Sequence, residues 1–459
     1  MSPVTRVVII GGGPGGYEAA LVASQLGAEV TLVSDGGLGG STVLTDCVPS
    51  KALIAAAEVV SAAGQGAHMG VGQGPALAVD LGSVNARILA LAEAQSADIA
   101  RGLASAGVDV VDGRATLAGP NEVLIESVSG QQRLAADAVL LATGARPRVS
   151  PTAQPDGERI LTWEQLYALD RLPERLIVVG SGVTGAEFAG AYRALGSDVV
   201  LVSSRDRVLP GEDADAAAVI EDVFARRGIT VMPRSRAAAA ERSDDGVVVT
   251  LDNGDWVEGS HCLMAIGSVP NTESLGLDAA GVGTNSAGFI EVDKVSRTSA
   301  RGVYAAGDCT GVLMLASVAA MQGRIAMWHA LGDSVHPLNL HTVSSTVFTD
   351  PEIATVGVTQ RDVDANEVDA VVIRLPLATN ARAKMQGIED GFVKVFARAG
   401  SHTVLGGVVV APRASELIYP LALAVENRLT VDQVASTFTV YPSLTGSIAE
   451  AARRLHTSS

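Results

Sequence analysis

Aromatic residues are scarce, at 3% of 459 residues, and there are only three cysteines, Cys47, Cys262 and Cys309. Three widely spaced thiols cannot form a secreted disulfide framework or a four-ligand zinc site, so reduced cysteines and no metal site are expected. Basic residues are also few, with 33 Lys and Arg against 50 Asp and Glu and a formal net charge of -17. That balance repels nucleic acid and anionic membrane surfaces, and no local basic patch offsets it. No apolar run reaches the roughly 18 residues that span a bilayer, and the Ala-rich stretch from Ile54 to Ala63 is broken by Glu58. No basic region with a small-residue cleavage site precedes the first apolar run, so the chain is expected to be cytoplasmic, with no integral membrane segment and no nucleic-acid partner.

Glycine, by contrast, is abundant, with 50 residues, and hydrophobic residues make up 47% of the chain. This is a globular composition, and the length suggests two to four domains of roughly 100–200 residues each. Two glycine-rich turns stand out. Val7 to Ile10 is an apolar run leading into Gly11-Gly12-Gly13-Pro14-Gly15-Gly16, followed by an Ala-rich helical segment and a second strand from Glu29 to Val33. In this strand, turn, helix order, Gly11 permits the tight turn, Gly13 lets a pyrophosphate approach the backbone, and Gly16 lets helix and strand pack closely. The acid that would end the second strand and bind ribose hydroxyls is replaced by Ser34, with Asp35 beside it as the substitute ligand.

The same pattern returns at Leu176 to Val179 and Gly180-Ser181-Gly182-Val183-Thr184-Gly185, with a helix and the strand Val199 to Val202 following. Two such folds imply two dinucleotides, and the chemistry linking two dinucleotides is hydride transfer from nicotinamide to flavin. The second strand here ends in Ser203-Ser204-Arg205-Asp206-Arg207 instead of a carboxylate, which favours the 2′-phosphate of NADPH, with NADH as the alternative. The segments Ala138 to Pro147 and Cys262 to Asn271 are parallel repeats, each a buried strand ending in a glycine and proline turn where the chain passes between nucleotide domains. Gly302 to Asp308 reads as a strand ending in an acid suited to a cofactor hydroxyl, and Cys262 and Cys309 read as buried, inert thiols in strand contexts.

With these elements in this order, the chain resembles the pyridine nucleotide-disulfide oxidoreductases nearly end to end. The resemblance implies two Rossmann-like α/β dinucleotide-binding domains and a C-terminal α+β dimerisation domain. Their expected bounds are 1–150 with 272–340 for FAD, 151–271 for NAD(P)H and 341–459 for dimerisation. It assigns Gly11, Gly13, Gly16, Thr143, Gly144 and Asp308 to FAD. Ser34, Asp35, Gly40, Ser41, Gly113, Ala142 and Ala316 are counted with the flavin site. Gly180, Gly182, Val183, Thr184, Gly185, Ser203, Ser204, Arg205, Arg207 and Gly267 are counted with the nicotinamide nucleotide. Lys51 matches the family lysine near flavin N5, and Glu187 matches its ion-pair partner. The segments Val347 to Gly357 and Asn380 to Met385 match the dimerisation pattern, so a homodimer is implied.

The resemblance fails where the family exchanges disulfides. In Gly39 to Lys51 the first of two cysteines spaced C-x-x-x-x-C is Thr42, and only Cys47 remains. A threonine cannot take part in thiol exchange. The family's C-terminal histidine and glutamate are Tyr441 and Gly446 here, so the acid-base pair is absent as well. The remaining histidines match no catalytic position of the family. In these departures the chain is similar to actinobacterial FAD-dependent NAD(P)H:quinone reductases. The expected activity is ping-pong reduction of a quinone or similar planar electron acceptor. The alternatives are a flavoprotein redox sensor or partner-binding protein with slow turnover and a redox-responsive Cys47 and, less favoured, a dihydrolipoamide or other disulfide reductase.

Overall fold

The computed structural model describes residues 4–71 and 77–456. The chain divides into two compact units, the first made of residues 1–52, 83–148 and 267–339 and the second of residues 53–82, 149–266 and 340–459.

The first unit is organised by short β-branched runs, whose side chains are too stiff and apolar to remain in solvent. Arg6–Ile10 forms the centre of a sheet ordered Val303–Ala305, Ala138–Leu141, Arg6–Ile10, Glu29–Ser34 and Asp109–Gly119, all parallel. Glu122–Ser127 and Gly130–Ala135 extend it as an antiparallel meander. Ile9, Leu32, Leu140 and Leu141 are fully buried, as expected for strands covered on both faces. The helix Pro14–Gln25 starts on a proline, which needs no N–H partner there, and packs on the helix Ala316–Ala330. Their contact is close because a Cβ on Gly323 would stand 2.1 Å from Gly15 O. Beside it, Arg324 donates twice to one Glu18 oxygen, at 2.8 and 2.9 Å.

The second unit contains another parallel sheet, ordered Thr230–Met232, Asp198–Val202, Arg175–Val179, His261–Met264 and Ile160–Leu161. A three-stranded antiparallel sheet, Ala237–Arg242, Val247–Leu251 and Trp256–Gly259, lies next to it in the chain. The C-terminal part is an antiparallel sheet ordered Ser344–Val347, Glu352–Gly357, Val404–Ala411, Phe392–Arg398 and Ala370–Pro376. Residues 149–266 and 340–459 fall in the same compact unit.

Charge holds them together. Lys394, on the Phe392–Arg398 strand, is only 2% exposed. Its Nζ donates to Asp213 Oδ2 at 2.8 Å and lies 2.6 Å from Asp215 Oδ2. Asp213 is also the N-cap of the helix Ala214–Arg226, accepting from the Asp215 and Ala216 N–H groups. Arg226 with Asp390 at 2.6 Å and Arg227 with Asp350 at 2.7 Å add pairs at the other end of the same helix.

Replacing Lys394 with methionine leaves the buried Asp213 carboxylate without its cation, while the half-exposed Asp215 keeps solvent and Arg374, and should lower stability by roughly 3–5 kcal/mol. Adding Asp213→Asn and Asp215→Asn should restore much of that loss, since asparagine still caps the helix. Urea unfolding of the single and triple variants measures both effects.

Candidate functional site

The first glycine turn is shaped by backbone crowding. Gly11 has φ of +110°, and its N–H donates to Val33 O at 2.8 Å. A Cβ on Gly11 would meet Ala142 O at 2.2 Å, and one on Gly16 would meet Gly11 O at 1.9 Å. Nothing lies within 4 Å of a Cβ placed on Gly13. The loop is therefore closed on its inner side and open at its tip, at the bare N-terminus of Pro14–Gln25, where no side chain caps the helix. An uncapped helix start beside an open glycine tip fits a pyrophosphate.

Other predicted residues converge on this cradle. Gly39 N donates to Gly12 O at 2.8 Å, and Gly40, at φ +58°, comes close enough that a Cβ would stand 2.9 Å from Gly13 Cα. This brings the short helix Gly40–Leu44, with Ser41 and Thr42, against the glycine loop. The helix Cys47–Gln65 follows, with Cys47 at its first position and half-buried Lys51 one turn on. On another side, a Cβ on Gly15 would touch Ala306 Cβ at 3.1 Å, so the turn leading to Asp308 also adjoins the loop. Gly307 N donates to the buried Gln322 Oε1 at 2.9 Å, which fixes that turn. Burial, and then the facing Asp46 carboxylate, push Asp308 up to about 6.

Thr143 and Gly144 lie at the crossing between nucleotide segments. Thr143 Oγ1 donates to Asn271 O at 2.7 Å, and Asn271 returns its amide to Thr143 O at 3.0 Å. Ala316 begins a helix whose N-terminus has no side-chain cap. Asp35 is exposed and accepts from Arg114 Nε at 2.8 Å, while Ser34 Oγ donates to Gly37 O at 3.1 Å. Gly113 has a packing reason of its own, because a Cβ there would stand 2.4 Å from Glu126 O.

The second cradle, in the other unit, repeats the first. Gly180 has φ of +113°, and its Cβ would meet Ala265 O at 2.2 Å. A Cβ on Gly185 would meet Gly180 O at 1.8 Å, whereas one on Gly182 has open space. The helix Val183–Leu195 begins there with no side-chain cap, with Val183 exposed and Thr184 half-buried. Ser203 is buried, 2.6 Å from Ser181 Oγ, and accepts from Arg205 N at 3.1 Å. Ser204 and Arg205 are exposed and Arg207 half-buried, and among the described residues neither guanidinium has an ion-pair partner. Glu187 is 3% exposed and accepts from Phe348 N at 2.8 Å. Gly267 belongs to the first unit, where its carbonyl accepts from Arg148 N.

Among the described residues no disulfide joins the three cysteines. Burial pushes Cys262 up to about 12 and Cys309 up to about 11, so neither is a thiolate near neutral pH. Cys262 is in a strand as expected; Cys309 is instead in the 3₁₀ turn Asp308–Thr310, because Gly307 ends the preceding extended run. Asp46 and Ser181 were not singled out from the sequence. Their roles arise from partners 262 and 22 residues away, which no local motif encodes. Among the described residues, no cluster of His, Cys, Asp or Glu is placed to hold a metal, and no helix is long and apolar enough to cross a membrane.

Comparison with known proteins agrees with this architecture. The pyridine nucleotide-disulphide oxidoreductase model matches residues 5–323, and the corresponding dimerisation domain matches residues 343–452. An NAD(P)H dehydrogenase (quinone) of Mycobacterium tuberculosis is 56% identical over 98% of this chain and 94% of its own length. Dihydrolipoyl dehydrogenase 2 of Haloarcula marismortui is 36% identical over 98% of this chain and 96% of its own. The crystal structure of LpdA from Mycobacterium tuberculosis superposes with a TM-score of 0.95 at 55% identity, covering 98% of this chain and 100% of that one. With two crowded glycine cradles and a C-terminal antiparallel sheet in the matching order, the chain belongs to the pyridine nucleotide-disulphide oxidoreductase family.

Proposed function

We propose that this chain is an FAD-dependent NAD(P)H dehydrogenase that reduces a quinone or similar planar acceptor and works as a homodimer. The observation that carries this reading is the pairing of two open cradles, at Gly13 and Gly182, with a helix start that holds Thr42 and Cys47 in place of a disulfide. A flavin in the first cradle and a nicotinamide nucleotide in the second supply hydride and two-electron chemistry. The chain's own groups bind and orient. The uncapped start of the helix Pro14–Gln25 would hold the flavin pyrophosphate, and Asp308 would accept from a ribityl hydroxyl. Lys51 would place a cation where negative charge develops on reduction. Arg205 and Arg207 offer guanidinium groups to a 2′-phosphate. A planar acceptor needs close approach and no intermediary thiol, which suits the missing cysteine. The name of the M. tuberculosis relative, NAD(P)H dehydrogenase (quinone), supports the choice of acceptor. The fully exposed Phe438, with Val440 and Tyr441 at 78% and 84%, supports the dimer, since such a row of apolar groups is a costly surface to leave in water.

An anaerobic titration of the purified protein should consume two electrons per flavin, whereas a redox disulfide would raise this to four and overturn the reading. Cys47→Ser should keep most quinone turnover, and loss of turnover with flavin retained would assign Cys47 an electron-carrying role.

Asp308 gives a pH signature. Its folded value near 6 lies above that of an unfolded carboxyl, so the folded apoprotein holds the proton more tightly. Its contribution is full below about pH 4 and is lost as pH rises through about 6, on the order of 3 kcal/mol. Asp308→Asn should remove that decline in apoprotein thermal scans, while the variant retains less flavin on gel filtration.

A further inference from the structure

The second cradle adjoins an arginine outside the glycine motif and the loop that follows it. The strands Asp198–Val202 and Thr230–Met232 end their parallel ladder at Val202 and Met232, yet the two chains stay bonded beyond it. Ser203 N donates to Met232 O at 2.9 Å, Ser235 N to Ser203 O at 2.7 Å, and Arg234 N to Arg205 O at 2.7 Å. This is the same sheet end at which Gly180 N donates to Val202 O and the cradle begins. Arg234 therefore extends from backbone that is hydrogen-bonded directly to Arg205.

Three features of Arg234 need a reason. Its φ is +51°, a left-handed conformation that glycine or asparagine adopts more cheaply. Its side chain is exposed, so packing does not require it. Among the described residues it has no carboxylate partner, although acids outnumber bases 50 to 33 in the chain. Elsewhere in this unit Arg226, Arg227, Arg242 and Arg374 lie against carboxylates. Arg205, Arg207 and Arg234 are thus three unpaired guanidiniums on connected backbone, with Asp206 the one acid within the loop.

We propose that Arg234 completes a three-arginine clamp for the 2′-phosphate of NADPH and is a specificity-determining residue of the second cradle. This rests on reading that cradle as the NAD(P)H site. A dianionic phosphate monoester is the ligand group that several convergent guanidiniums suit best, since each can donate a charge-assisted hydrogen bond in a planar fork. A nucleotide lacking that phosphate has nothing for Arg234 to hold.

The test is calorimetric titration of the purified full-length holoenzyme with 2′,5′-ADP and with 5′-AMP. The unmodified protein should prefer 2′,5′-ADP. Arg234→Ala should weaken 2′,5′-ADP by about tenfold or more while changing 5′-AMP far less, and Arg234→Lys should recover part of the loss. The Michaelis constant for NADPH should rise in step, with a smaller change in kcat. Unchanged binding in Arg234→Ala, while the Arg205→Ala, Arg207→Ala pair abolishes the preference, would overturn the role of Arg234 alone. Equal weakening of both ligands in Arg234→Ala would reduce it to a support for the loop and also overturn the proposal. No preference in the unmodified protein would overturn the underlying 2′-phosphate reading itself.

Discussion

Two carbonyl oxygens, those of Gly11 and Gly180, set the geometry on which both nucleotide cradles depend. Each lies where a side chain on the glycine five residues later would have to be, at 1.9 Å for Gly16 and 1.8 Å for Gly185. Each first glycine is in turn pressed by a carbonyl from a distant strand, Ala142 or Ala265, at 2.2 Å. Strand, turn and helix can close only if all four positions lack a Cβ. The open middle glycine is the remainder of that arrangement, a stretch of backbone pushed outward because the inner side is full. Two units with different surroundings reach the same solution, so the constraint is local to the turn and independent of what the helix packs against.

The inner crowding also limits where chemistry can be placed. The Gly39–Gly40 turn is held on Gly12 and Gly13, so the short helix Gly40–Leu44 starts against the first cradle. The helix Cys47–Gln65 follows it in the chain and begins with a half-buried thiol, whereas the thiols of Cys262 and Cys309 are fully buried. The Asp46 carboxylate adds to burial in making Asp308 a weaker acid, one that keeps its proton to higher pH.

How far the sequence could be read depended on the range of the interactions involved. Apolar runs such as Val7 to Ile10 and Leu176 to Val179 announce buried parallel strands because every side chain in them is hydrophobic, and both glycine turns follow from steric rules within six residues. The family resemblance supplied the order of the pieces. The sheet of Ala237–Arg242, Val247–Leu251 and Trp256–Gly259 was not legible, because Ala237 to Ala240 has no strong β preference and pairs only through its neighbours. Cys309 looked like a strand residue because the apolar run before it is extended; the bend comes from one glycine with positive φ, which composition cannot show. Nor did anything local to Lys394, a charged residue in a strand, reveal that it would be buried against Asp213.

That burial has a consequence in the order of synthesis. Lys394 follows Asp213 by 181 residues. At ribosomal speeds of roughly 5–20 residues per second, the aspartates emerge about ten to forty seconds before the lysine that neutralises them. Through that interval the start of the Ala214–Arg226 helix keeps its carboxylates hydrated and its future apolar wall uncovered. The nucleotide-binding segment leaves the ribosome as a partner waiting for its own C-terminal sheet, exposed to chaperones for as long as translation of the last third takes.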